Sequence, residues 1–340
     1  MEKIILYILT AIFMTTSIGV AGEFWKVYSQ VNPVLSLGES SAFDSAHTFD
    51  CSVLKYKEQY HMWYRGDREE SGTNDQIGYA TSINGTDWIR QNNGNSVISF
   101  PNENGDAQQP RVVVNKTGEF RIYYRQEFHS SDTLWTAIST DGINWQGNKQ
   151  IMSDITTFDS LAPLYYDSKY HLWYQNQRIY YTVSDDGENF STPVTVDIEA
   201  GGTDTWENEL LDLSCVIRTS EYFKMYYMGN FRCNDSDRCF SAIGMATSSD
   251  GITWSKSLEN PVFYNGTMGL SDSSALLPWV LIDDDYNKLY YSTITIGNDS
   301  SDFNNLRLGM AREKISDIND DNIFDLKDII YGLQILIGGR

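Results

Sequence analysis

Five carboxylates recur at similar distances ahead of short apolar runs: Phe43-Asp44, Gly105-Asp106, Phe158-Asp159, Trp206-Glu207 and Ser271-Asp272. Asp50 stands closer still to the first run, with His47 beside it. A second set of polar side chains, Arg65, Arg125 and Gln175, follows three aromatic-rich runs. Carboxylates crowded round one opening acquire perturbed pKa values, which suits general acid and base work. The simpler alternative is that a repeated Asp caps a loop by accepting bonds from backbone N–H groups. A third is that some of these oxygens hold a central metal ion.

The choice depends on the elements that carry them, and those elements repeat. Tyr60-His61-Met62-Trp63-Tyr64 returns as Phe120-Arg121-Ile122-Tyr123-Tyr124, Tyr170-His171-Leu172-Trp173-Tyr174, Phe223-Lys224-Met225-Tyr226-Tyr227 and Asn287-Lys288-Leu289-Tyr290-Tyr291. Aromatic and aliphatic residues at this density mark half-buried strands. A second motif, A-x-S-x-[DN]-G-x-x-[WF], follows at 80–88, 137–145, 182–190 (with Thr182 first) and 246–254, and a broken fifth copy starts at Gly309-Met310-Ala311. Asp-Gly or Asn-Gly is a hairpin turn signal because Gly accepts positive φ. The aromatic residue after it is placed to pack between neighbouring sheets.

An inner strand is expected ahead of each aromatic strand, at 52–56, 111–115, 164–166, 214–218 and 279–282. Each repeat then reads as inner strand, turn, aromatic strand, loop, third strand, turn, outer strand. Radial repetition of such meanders predicts an all-β fold, a five-bladed β-propeller of four-stranded antiparallel blades. Residues 25–28 could supply the strand that closes blade 5. Tandem β-sandwiches are the alternative, but five like repeats do not divide into them. In this topology the residues entering the inner strand and leaving the aromatic strand share one rim. The connectors after the aromatic strand lie there too, and are long at 66–76, 229–242 and 293–305. Long loops on a rigid scaffold are where sites form.

The formal net charge of −21 argues against nucleic-acid binding and against docking on anionic membranes. Lys3, an apolar stretch over 4–20 and Gly19-Val20-Ala21 predict a signal peptide over 1–21, hence a secreted or periplasmic protein with no membrane association after cleavage. An uncleaved anchor is the alternative. Of the four cysteines, Cys233 and Cys239 flank a polar loop and are expected to pair outside the cytoplasm; Cys51 and Cys215 lie in apolar runs, paired or as buried thiols.

These motifs resemble the five-bladed glycoside hydrolase superfamily of families 43, 32, 117 and 130, over about residues 25–315. The resemblance implies carbohydrate as the partner. It also implies a blade-1 Asp as general base at the head of the inner strand, which Asp50 matches, although Cys51 replaces the family's Pro. The family's blade-2 Asp stands immediately before a Pro, where Gln109 precedes Pro110 here. Its blade-3 general acid is a Glu two residues before a Pro, where Leu161 precedes Ala162-Pro163. Catalysis would then recruit displaced acids. A family-130-like arrangement that relies on one Asp stays open. A sialidase fits less well, because the turn spacing differs and no arginine triad is evident.

Beyond the repeats, Asp317, Asn319, Asp321, Asp325 and Asp328 take positions 1, 3, 5, 9 and 12 of a twelve-residue loop, with the Ile323 carbonyl at position 7. That is EF-hand ligand spacing and predicts calcium. An apolar helical face follows at Ile329, Ile330, Leu333, Leu336 and Ile337. Residues 316–340 therefore resemble half of a dockerin, with a protein partner for the helix as one implied role and a structural calcium clip as the other.

The reading that follows is a carbohydrate-active propeller over 22–315, a hydrolase with Asp50 or Asp44 as base and Glu207 or Asp159 as acid. Asp106, Asp272, Arg65, Arg125, Gln175 and His47 would bind substrate. The competing reading is a non-catalytic glycan-binding or scaffold propeller that lacks the family's acid.

Overall fold

The computed structural model describes residues 25–28, 32–68, 75–100, 105–128, 131–155, 158–199, 206–207, 210–231, 240–264, 275–283, 286–294 and 306–313. The segments 1–24 and 314–340, with the expected signal peptide and calcium loop, lie outside them, as do Cys233, Cys239 and Asp272.

Strand β1 (Trp25–Val27) opens the described chain. Blade 1 is β2 (His47–Tyr56), β3 (Gln59–Asp67), β4 (Gln76–Ser82) and β5 (Ile89–Arg90). Blade 2 is β6 (Asp106–Val114), β7 (Phe120–Phe128), β8 (Ser131–Ser139) and β9 (Gln146–Ile155). Blade 3 is β10 (Phe158–Tyr166), β11 (Lys169–Asn176), β12 (Arg178–Ser184) and β13 (Val194–Thr195); a short β14 (Asp197–Ile198) then crosses to the next sheet. Blade 4 is β15 (Leu210–Arg218), β16 (Phe223–Phe231), β17 (Phe240–Ser248) and β18 (Thr253–Lys256), with β14 parallel to β18 at its edge. Blade 5 has β19 (Leu276–Leu281), β20 (Lys288–Ile294) and β21 (Leu306–Glu313). Its fourth strand is β1, antiparallel to β21, so the two ends of the repeat array close the ring as expected. The strands within each blade pair antiparallel in sequence order.

The two sequence motifs interlock the blades. In each turn the Ser hydroxyl accepts from the Gly N–H, at 2.9 Å for Ser139 and Gly142, and the Asp141 carboxylate accepts from the Ile143 and Asn144 N–H groups. The turn glycines Gly85, Gly142, Gly187 and Gly251 have φ between 75° and 78°, which a side chain would resist. Their carbonyls accept from the polar tips of the neighbouring aromatic strand: Trp63 to Gly142 at 3.0 Å, Tyr123 to Gly187 at 3.0 Å, Trp173 to Gly251 at 2.7 Å and Tyr290 to Gly85 at 2.7 Å. The turn aromatics Trp88, Trp145, Phe190 and Trp254 then meet Tyr290, Trp63, Tyr123 and Trp173 edge-on. Trp63, Trp173, Tyr123 and Tyr290 are accordingly buried between blades.

The inner strands begin several residues earlier than the sequence pattern suggests. A bulge lies in each, at Asp50 in β2, between Gln108 and Arg111 in β6, after Phe158 in β10, at Ser214 in β15 and between Leu276 and Trp279 in β19. Polar residues and prolines at these bulges hide the strand signal, because Pro cannot donate to a ladder and a bulge breaks the alternation. Around the channel a ring of hydrogen bonds joins neighbouring blades. Val112 N–H donates to Ser52 Oγ (2.9 Å), Arg111 Nε to the Leu161 carbonyl (3.2 Å), Leu213 N–H to Gln175 Oε1 (3.3 Å) and Trp279 Nε1 to the Val53 carbonyl (2.6 Å). Between blades 4 and 5 the contact is Val280 N–H to Cys215 Sγ at 3.5 Å. Cys51 and Cys215 are both free thiols; burial pushes the Cys51 thiol well up and that of Cys215 up to about 12.

Candidate functional site

Antiparallel pairing brings the head of each inner strand against the tail of its aromatic strand. His47 faces Asp67, Phe49 faces Arg65, Gln108 faces Arg125 and Ser160 faces Gln175. At this level Asp50 sits on the β2 bulge with φ of 46°, a left-handed conformation that costs a non-glycine residue energy. Its backbone N–H donates to Ser292 Oγ of blade 5 at 2.9 Å. Its carboxylate lies 2.8 Å from Arg111 Nη1 of blade 2, and each side chain is about 1% exposed. Gln109, with φ of 51°, and Leu277, with φ of 49°, repeat the strained conformation at the bulges of blades 2 and 5. Both Asp50 oxygens still lack a well-directed hydrogen bond, although the ion pair is close. They are buried acceptors on the bulge of the blade-1 inner strand.

A second polar cluster adjoins this pair at the junction of blades 1 and 2. Arg65 spreads its guanidinium 4.5 Å over the Phe49 ring and pairs with Asp75, the residue just before β4. Asp75 is fully buried. Its carboxylate also accepts from Gln108 Nε2 at 2.8 Å, and its backbone N–H donates to Asp106 Oδ1 at 2.9 Å. Burial raises the Asp75 carboxyl to about 6 despite the opposing Arg65 charge. For Arg65, burial pulls the other way, but the carboxylates of Asp75, Asp50 and Asp106 outweigh it and hold the guanidinium above its ordinary value. His47 Nδ1 meets Asp67 Oδ2 at 2.9 Å, both buried, beside the same strands.

The remaining candidate residues have partners that define what they do in the structure. Asp44 is fully buried; Tyr64 OH and Arg90 Nε both donate to its Oδ2 at 2.8 Å. Glu207 accepts from Tyr227 OH at 2.6 Å and from Lys256 Nζ. The two sets are the same device in blades 1 and 4: Phe43 stacks on Tyr64 as Trp206 stacks on Tyr227. Arg90 on β5 and Lys256 on β18 supply the cation. Each device ties the connector ahead of an inner strand to the outer edge of the same blade. The Asp44 copy borders a cavity of about 680 Å³ whose lining includes Ser36, Glu39, Phe43, Arg68, Arg90 and Asn93. Arg125 pairs with Asp132 at 2.8 Å and Glu127 at 3.1 Å. Gln175 joins Ser160 and Leu213 across blades 3 and 4. Asp106 is half-buried beside Asp75, and Asp159 lies in β10 with its side chain outside the described residues.

Arg111, Asp75, Asp67 and Asp212 are polar residues in or beside these strands that the sequence repeats do not mark. Asp212, 8% exposed at the head of β15, was detectable as the lone charge within Leu210-Leu211-Asp212-Leu213. Arg111 had the weaker signal of a cation opening a valine run, and nothing local marks Asp75. Among the described residues no group of three or more His, Cys, Asp or Glu side chains converges to hold a metal ion.

Solved structures that align with this chain include proteins described as glycoside hydrolases. A glycosyl hydrolase from Bacteroides ovatus aligns with a TM-score of 0.64 and 19% identity, covering 85% of this chain and 92% of that one. A structure from the family 130 mannoside phosphorylases, a family containing glycoside hydrolases that target beta-1,2 mannosidic linkages in Candida mannan, aligns at 0.62 and 18%, covering 85% and 93%. A thermostable family-43 glycoside hydrolase aligns at 0.60 and 18%, covering 78% and 89%. No protein-family model and no curated relative matches the chain. At these identities the likeness establishes the fold: a five-bladed β-propeller resembling glycoside hydrolases.

Proposed function

We propose that the protein is a secreted, carbohydrate-active propeller that hydrolyses glycosidic bonds at the channel mouth, with Asp50 as general base. The observation that carries this reading is the Asp50–Arg111 pair: a carboxylate fixed by a strained bulge at the channel, with oxygens whose hydrogen-bonding capacity is not used up. In glycoside hydrolysis one carboxylate takes a proton from the attacking water while a second carboxyl protonates the leaving oxygen. Asp50 suits the first role. The second would fall to a carboxyl at the head of a neighbouring inner strand, Asp106 of β6 or Asp212 of β15. Asp44 and Glu207 are less suited, since each is already engaged by a tyrosine and a cation. The carbohydrate-active neighbours support the same reading. Export through residues 1–21, a Cys233–Cys239 bridge and calcium in the 317–328 loop belong to this proposal as sequence-based parts.

One observation favours a non-catalytic glycan-binding propeller instead. The places where the resembling family keeps its other two acids hold Gln109 and the fully buried Leu161. A panel of neutral oligosaccharides, assayed for both binding and release, separates the readings. Release that is lost on Asp50→Asn supports the hydrolase. Binding without release, unchanged by Asp50→Asn, supports the lectin-like reading.

A further inference from the structure

Asp75 is a fully buried carboxylate of the cluster beside Arg65 that the proposed chemistry does not use. It is clamped by blade 2 on several sides: its N–H donates to Asp106 Oδ1 (2.9 Å), its carbonyl accepts from Ala107 N–H (2.9 Å) and its Oδ2 accepts from Gln108 Nε2 (2.8 Å). It cannot swing away from Arg65. Arg65 is equally fixed, stacked on Phe49, yet its side chain keeps 18% exposure. The result is a guanidinium fixed between Phe49 and Asp75 on a side chain that is partly exposed, with its charge answered by Asp75.

We propose that Asp75 is a specificity-determining residue: by cancelling the charge of Arg65 it bars anions from the channel mouth, so that the glycosyl substrate is neutral and the acceptor is water rather than inorganic phosphate. This deepens the reading of the mouth as a sugar site and rests on it. Sites built for phosphate or carboxylate present arginine forks to the ligand with their charge available. Here the other arginines of the inner and aromatic strands near the mouth are answered in the same way. Arg111 has Asp50 at 2.8 Å, and Arg125 has Asp132 at 2.8 Å and Glu127 at 3.1 Å. Asp106 and Asp67 are further carboxylates beside Asp75. In a cleft with low-dielectric walls that field repels an incoming anion instead of concentrating it.

The test uses inorganic sulfate, whose charge is constant over the working range, and inorganic phosphate as the competing acceptor. At pH 8 the wild-type protein should show no sulfate binding by calorimetry, and should release free sugar without glycosyl phosphate when phosphate is added. Asp75→Asn keeps the shape and frees Arg65, so sulfate affinity should rise about 10- to 100-fold, the usual range for a charge-assisted hydrogen bond. Should that variant not fold, pH does the same to the wild type. Protonation of Asp75 near pH 6 should strengthen sulfate binding as pH falls from 8 to 5, and Arg65→Gln should abolish the gain. Asp50 and Asp106 act on the same guanidinium, and the Arg65 dependence shows whether the gain needs this cation. Glycosyl phosphate from the wild type, or sulfate binding unaltered by both Asp75→Asn and pH, would overturn the proposal. Failure to bind or cleave any neutral sugar would instead sink the glycan reading, and the sulfate gain would still decide the role of Asp75.

Discussion

Asp50 and Arg111 face one another at 2.8 Å, from different blades, with about 1% of either side chain open to solvent. Such a pair is worth little more than an apolar contact while intact, but removing one member leaves the other charge buried. Arg111→Met should therefore cost roughly 3–5 kcal/mol in urea unfolding. Asp50→Asn leaves the Arg111 charge buried in turn, so it should cost a similar roughly 3–5 kcal/mol, and it should lower hydrolysis per folded molecule by about 10²–10⁴-fold as expected for a lost general base. Combining the two should restore part of the Arg111→Met loss, because contacting residues are not additive. Full additivity would mean that the pair is not coupled.

The acid–tyrosine–cation devices of blades 1 and 4 give the opposite pattern of effects. Glu207→Gln removes the anion that Lys256 and Tyr227 share, and should cost about 1.5–3 kcal/mol, the range for charged hydrogen bonds. Gly66→Ala should also destabilise, by roughly 1–3 kcal/mol, because its new methyl would come 2.6 Å from the Asp44 Cβ and 2.8 Å from the Phe43 ring. Turnover per folded molecule should stay near wild type in both. A drop of 100-fold in kcat for Glu207→Gln, with the fold intact, would return Glu207 to the chemistry.

The contrast between these clusters shows where sequence reading succeeds. The propeller was legible because Trp63, Trp173 and their counterparts are local members of a strand motif and bond to turns that are themselves local motifs. Even the closing strand could be anticipated, since blade 5 lacks its own last strand and Trp25 begins an orphan run. The site was less legible for a physical reason: its partners are distant in the chain. Arg90 lies 46 residues from Asp44, and Lys256 lies 49 from Glu207. Asp75 acquires its role only when blade 2 packs on blade 1 and brings Gln108 to it, 33 residues away. The bulges compound this, because Asp50 and Gln109 look like loop residues until the inner strands are seen to run past them.

Calcium is the prediction that rests on spacing alone. Five oxygen-bearing side chains at Asp317, Asn319, Asp321, Asp325 and Asp328 should take one ion, and the calorimetric stoichiometry of the full chain should fall by one on Asp317→Ala with Asp321→Ala. Retention of that equivalent would remove the assignment. If the loop is a structural clip, chelation should lower the melting temperature of the wild type and leave the double variant unaffected.

Acid sensitivity should come from two histidines that the blades bury in equivalent places. His61 Nδ1 and Tyr79 OH share a hydrogen bond at 2.6 Å, and His171 Nδ1 and Tyr181 OH share one at 2.7 Å. Each imidazole stacks on the tryptophan two residues on, with centroids 6.0 and 6.1 Å apart. Burial holds both below the ordinary histidine value, chiefly because the charged form loses water. The unfolded chain therefore binds protons that the folded chain refuses once pH drops below about 6.5. Their contribution to stability is fully present above that pH and is lost as pH falls through the lowered folded values. Asp75 works with the opposite sign. Its folded value of about 6 lies above the unfolded 3.8, so its contribution is greatest below pH 3.8 and fades as pH rises through 6. Urea unfolding from pH 7 to 5 should thus show a loss of stability that His61→Gln with His171→Gln flattens. Asp75→Asn should steepen it, because the opposing group is gone. An unchanged slope in the double histidine variant would place the acid-sensitive groups elsewhere in the propeller.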